Sequence, residues 1–192
     1  MTSLESIEEA LLGKICTLDH VCSELAKLFS VRRTEIGVLR VEGELLRFVH
    51  PAQLNSAGCI PISGSAVAAR TAAFRTSVVH NNFANVPHHD VFELVKLKDP
   101  QGKGPDDPQR IQKLISSPIL GEKDELLGVL QVSRKGVTPS ASGPDFAAEN
   151  VELLERVARR VATLRPEILQ TTLKTPSFKL ELQNEQQRKR NA

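Results

Sequence analysis

The 192-residue chain has no tryptophan and no tyrosine; its few aromatic side chains are seven phenylalanines. Binding to single-stranded nucleic acid draws on basic side chains interleaved with stacking rings, and no stretch here has that pattern. The formal charge of +2 is too small to argue for a phosphate-binding face. Nucleic-acid binding is therefore not expected. Long apolar runs are missing as well: no segment reaches the roughly 18 to 20 apolar residues needed to span a bilayer, and nothing resembles a signal peptide. Membrane association is not expected. Cysteine is scarce, and Cys16, Cys22 and Cys59 are an odd number without metal-ligand spacing. A cytoplasmic protein with reduced thiols is the expectation, and its 40% hydrophobic content suffices for one core and one domain.

The most ordered pattern lies between Leu114 and Lys135, where two apolar runs flank a turn rich in Gly, Lys, Asp and Glu. This is a β-hairpin by pattern. In its second run, Leu126 to Val132, both alternating faces are apolar apart from Gln131, so other elements should cover both sides and make this the central strand. Pro118 in the first run has no N–H to give, so that strand should kink there or turn the position away from a neighbour.

Upstream, Leu4, Ile7, Leu11, Ile15, Leu18, Val21, Leu25 and Phe29 recur at helical spacing, giving one long amphipathic helix or two hinged near Gly13 to Thr17. Thr34 to Val41 and Glu44 to Val49 read as a second hairpin, ended by His50 and Pro51. A short run, Cys59 to Ile62, precedes a helix from Ala66 to Phe74 whose entry serines, Ser63 and Ser65, are candidate caps. A strand over Thr76 to His80 leads into a lid rich in His, Asn and Pro, with Val91 to Leu97 as a short helix or the last part of that lid. Asp99 to Gln109 reads as loop. A closing helix runs from Phe146 to Leu164 with its start at Pro144 and Asp145, and a polar tail follows.

Taken together, the segments at 24–29, 34–49, 59–82, 113–135 and 144–158 resemble a GAF domain over residues 15 to 164. The pieces that carry the resemblance are Ser117-Pro118-Ile119, the run Leu127 to Val132, and Arg134-Lys135 before a connection and a Phe-led helix. The resemblance implies an α+β fold: a GAF-like antiparallel β-sheet with helices on both faces, terminal helices packed together on one face and a small-molecule pocket on the other. The implied organisation is an N-terminal helical extension at 1–14, the GAF-like domain at 15–165 and a polar C-terminal tail at 166–192. Cyclic-nucleotide members of the family carry an Asn-Lys, Phe, Asp-Glu signature. Lys135 and Phe146 match it, whereas Arg134, Asn150 and Val151 depart from it, so the motif does not support that ligand. Bilin attachment would need a thiol beside the lid, and none lies there.

His80, His88, His89 and Asp90 are the cluster able to carry chemistry, through iron or metal ligation or a hydrogen bond to a ligand. Against this stands the commoner use of such residues as solvated or capping groups in a polar loop. Any ligand site is expected under the lid, lined by Asn82, Phe83, His88, His89 and Phe92, with no cofactor assigned. Cys59 raises the free methionine sulfoxide reductase members of the family. A resolving thiol nearby is missing, however, and all three cysteines read as buried structural thiols.

The expected function is a non-enzymatic small-molecule sensor or regulatory signalling module acting through dimerisation or a signalling protein partner. The alternative is a dimerisation scaffold without ligand, with a thiol-dependent reductase a distant third. A homodimer through the terminal helices is expected, because the stripe over Leu4, Ile7, Leu11, Leu12, Leu153 and Val157 exceeds what one sheet face covers.

Overall fold

In a computed structural model, the described residues are 4–13, 17–86, 109–164 and 169, with the side chains of Leu4 and Leu164 not described. The expectations for Cys16, for His88, His89, Asp90 and Phe92, for a helix at 91–97, for the loop from 99 to 108 and for the tail lie outside them. Of the two readings for the N-terminal stripe, the hinged one holds: α1 spans Leu4–Leu12 and α2 spans Leu18–Leu28. Thr17 caps α2 by accepting the His20 N–H at 3.2 Å. At its other end Ser30 sits at φ 52°, and the Val31 N–H reaches Ala26 O at 2.9 Å, closing the helix with a Schellman turn.

Six strands follow: β1 Ile36–Glu42, β2 Leu45–His50, β3 Cys59–Pro61, β4 Val78–His80, β5 Ile111–Leu120 and β6 Leu126–Lys135. They form one antiparallel sheet in the order β3-β2-β1-β6-β5-β4. The β1–β2 hairpin turns at Gly43, whose φ of 60° suits a residue without Cβ. A bulge between Val38 and Leu39 leaves Val49 out of register, and the His50–Pro51 peptide is cis. β6 is central as expected, paired with β1 on one side and β5 on the other. β1 passes so closely that a Cβ on Gly128 would run into the Leu39 carbonyl, which accounts for glycine there. Pro118 pairs with Val129 on β6, while on its other side β4 has already ended opposite Ser116.

The sheet separates two apolar clusters. On one face Ile36, Ile115, Leu130 and Val132 meet α1, α2 and α4, the last spanning Ala148–Leu164. On the other, Leu39, Leu46, Phe48 and Val129 meet α3, Val67–Phe74, through Ala68, Ala69 and Ala72. A smaller cluster of Val67, Phe83 and Leu114 continues that face toward β4.

Three local expectations are corrected. Ala66 occupies the N-cap of α3 without a side-chain bond, so neither Ser63 nor Ser65 caps it. α4 begins at Ala148, later than Pro144 and Asp145, with the Ala147 N–H donated to Asn150 Oδ1 at 2.9 Å. The apolar stripe is not left bare: Ile7, Leu11 and Val157 are fully buried within one chain. The cause is α1, which breaks from α2 at Gly13 and packs against both α2 and α4, with Glu8 Oε1 2.8 Å from Arg160 Nε. Leu12 faces solvent, at 66% exposure, and Leu153 is half-buried.

Candidate functional site

Across the middle of the α3 face the apolar cover is interrupted by polar side chains. Gln131 of β6 lies opposite Gly37 of β1 and Ser116 of β5, so the three stand abreast on the side that Val129 also faces. Ser116 Oγ accepts from Thr71 Oγ1 at 2.8 Å and from Gln131 Nε2 at 3.2 Å. Thr71 belongs to α3, and both it and Ser116 are fully buried. With both lone pairs of Ser116 engaged, its own proton remains to donate. Among the described residues no donor reaches the Gln131 carbonyl. Gly37 leaves the backbone bare beside it, in the space where a Cβ would touch Gln131 and Phe48 at 3.5 Å.

This patch offers neutral donors and acceptors in apolar surroundings, suited to orienting a polar molecule. It holds no nucleophile beside a base, and among the described residues no group of His, Cys, Asp and Glu is arranged to hold a metal. The sequence contained one trace of it: Gln131 is the only polar side chain in the otherwise apolar run from Leu126 to Val132. Thr71, Ser116 and Gly37 had no such signal, because their proximity depends on how α3 lies over the sheet.

The expected site residues are placed as follows. Asn82 is exposed and accepts from Asn85 Nδ2 at 2.9 Å. Phe83 is buried in the small cluster with Val67 and Leu114, in edge contact with His80 at 6.2 Å between ring centres. Burial, aided by Arg70, holds His80 below the usual imidazole range. The structure thus brings Phe83 and His80 onto the α3 face, while Asn82 faces solvent.

The signature positions of the last connection have structural partners. Arg134, at the Asn position, donates to Phe29 O at 3.2 Å and lies 4.7 Å over the Phe146 ring. The Lys135 N–H donates to Glu35 Oε1 at 2.6 Å, and Glu35 is held by Arg32. Asn150 closes the first turn of α4. These residues tie the helices to the sheet.

The cysteines divide. Cys22 is buried among the helices, where desolvation, with Asp19 adding to it, pushes its thiol far above the ordinary range. Cys59 is exposed, which corrects the expectation of a buried thiol: β3 is an edge strand with Ile60 inward and Cys59 and Pro61 outward.

The GAF domain family profile matches residues 15–164, and the chain belongs to that family. The sequence matches no curated protein. Among solved structures it is similar to the free methionine-R-sulfoxide reductase of Neisseria meningitidis in complex with its substrate, at 18% identity, TM-score 0.59, covering 86% of this chain and 87% of that one. It is also similar to the GAF domain of a phosphoenolpyruvate-protein phosphotransferase from Coxiella burnetii, at 13% identity, TM-score 0.57, covering 83% and 88%. A segment of a methyl-accepting chemotaxis protein aligns at 18% identity, TM-score 0.52, covering 81% and 92%. At such identities the likeness concerns the fold. Among the described residues no helix is long and apolar enough to cross a membrane.

Proposed function

We propose that this chain is a non-catalytic regulatory GAF module that binds a small polar molecule against the α3 face of the sheet and acts through a partner protein or a second copy. The observation that carries this reading is the Thr71–Ser116–Gln131 cluster, which puts an unused hydroxyl proton and an unused carbonyl into an otherwise apolar layer. Gln131 is half-buried beside the fully buried Thr71 and Ser116, a small set of convergent polar groups of the kind that orients a ligand.

The ligand-free scaffold is the second reading, favoured by how far the chain's own Leu39, Phe48 and Val129 fill the same layer. A reductase has less support: Cys59 is exposed on one edge of the sheet, while the other described thiol, Cys22, is buried with the helices. Native mass spectrometry of freshly purified protein, paired with thermal shift against metabolite pools, distinguishes the readings. A bound small molecule that Gln131→Leu and Thr71→Val abolish supports the sensor; no mass increment and no stabilisation by any pool supports the scaffold.

A further inference from the structure

A groove of about 630 Å³ opens at the C-terminal end of β5, and nothing above makes use of it. Its origin is a mismatch of strand lengths. β5 runs from Ile111 to Leu120, but β4 accompanies it only as far as Ser116, so the last four residues of β5 have no strand outside them. The chain closes one side of this notch at the end of α3, with Arg75 in the left-handed conformation at φ 53° and Thr76 and Ser77 leading into β4. The β5–β6 turn supplies Glu122 and Asp124, and α4 supplies Glu155 and Arg159. Ser77 donates to Ser117 at 3.0 Å across the floor.

Arg75, Arg159, Glu122, Asp124 and Glu155 all line this groove, and among the described residues none of these side chains is paired. Glu155 and Arg159 are one turn apart on α4, the spacing at which such residues ordinarily pair along a helix, yet both contribute to the lining unpaired. Two guanidiniums would oppose a simple cation, and three carboxylates would oppose a simple anion. A ligand with both signs is matched by both sets, its carboxylate by the planar guanidinium donors and its ammonium by the acids. A peptide strand added to β5 is a poorer fit, because Pro118 and the irregular register at Ile119 and Leu120 spoil the edge that it would need. The volume lies in the range of small-molecule sites.

We infer that the groove between the end of β5, the α3–β4 turn and α4 is a second binding site, for a small zwitterion bearing a carboxylate and an ammonium group, of which free amino acids are the simplest class. Its occupant touches both the sheet and α4, and so fixes the closing helix against the β5–β6 turn. The site is independent of the Thr71–Ser116–Gln131 patch, since Ser117 faces the opposite side of the sheet from Ser116.

The test is amide NMR titration of the full chain with each free proteinogenic L-amino acid, with amidated and N-acetylated forms and inorganic phosphate as comparisons. Saturable shifts are expected at Thr76, Ser77, Gly121 and Thr163, weakened about tenfold or more in Arg75→Gln with Arg159→Gln and in both blocked forms. Gln131→Leu should leave this binding unchanged, so loss of the α3-face reading and loss of this one are separately visible. Three results overturn the proposal: no saturable shift with any amino acid, binding indifferent to both arginine substitutions, or shifts produced by phosphate as readily as by a zwitterion.

Discussion

Asn81 and Phe146, 65 residues apart, exchange two hydrogen bonds: Asn81 Nδ2 donates to Phe146 O at 3.0 Å, and the Phe146 N–H donates to Asn81 Oδ1 at 2.8 Å. One side-chain amide thus stands in for a missing strand, satisfying both backbone groups of a residue in an irregular connection. It joins the end of β4 to the start of α4 and holds the Phe146 ring under Arg134. Asn81→Leu should therefore lose about 2 to 3 kcal/mol in urea unfolding, because two backbone groups are left wanting. Its effect should be non-additive with Arg134→Met, since both act on Phe146. Strict additivity would mean that the two contacts do not share a support.

Val129 and Leu130 are neighbours in sequence and fully buried in different cores. Val129→Ala and Leu130→Ala should each cost on the order of 2 to 4 kcal/mol, because each leaves a cavity. Adjacent residues usually couple, yet these two share no cluster, so the double variant should equal the sum to within about half a kcal/mol. A loss below that figure for either single change would put its side chain at the surface.

The central strand was legible in sequence because burial on both faces removes alternation, and Leu126 to Val132 shows that loss directly. Strand and helix order followed from periods and turn residues in the same way. What pattern could not convey was distance between elements. Ile7 and Leu11 carry the same stripe whether they meet another chain or α4 of their own, and only the break at Gly13 decides it. Cys59 read as buried because cysteine usually is, while its exposure follows from β3 being at the sheet edge. The polar patch was half visible, since Gln131 stood out in its strand whereas Thr71 reaches it from a helix about sixty residues upstream.

His50 gives a pH dependence. Its Nε2 lies 3.2 Å from Arg33 O, so the neutral ring carries its proton there and turns Nδ1 toward Asp19, 3.4 Å away. Arg33 already holds that carboxylate at 3.0 Å. Burial is the main influence and keeps the imidazole below its usual range, outweighing the Arg33 carbonyl and Asp19. The unfolded chain therefore binds the proton more readily, and stability should fall as pH drops below about 6.5, levelling once the folded form also protonates. His80, also depressed, contributes in the same direction. In His50→Gln the acid slope should shrink, by at most about 1.4 kcal/mol per pH unit, with the His80 share remaining. A slope unchanged by that substitution would remove His50 as its source.

Ile7 and Leu11 have no exposed surface, and they lie with Leu154, Val157 and Val161 in the cluster beneath the helices. Glutamate at both positions would bury two charges without partners, so α1 should detach and leave the apolar sides of α2 and α4 wet. The double substitution Ile7→Glu with Leu11→Glu is thus expected to lower the unfolding midpoint and promote self-association in sedimentation at micromolar concentration. Deleting residues 1–13 should act in the same direction, and any dimer formed by the intact chain should use a surface other than this one. The opposite outcome is equally concrete: a dimeric parent that the two charges convert into a stable, well-folded monomer would put Ile7 and Leu11 in an interface between chains and displace α1 from the core.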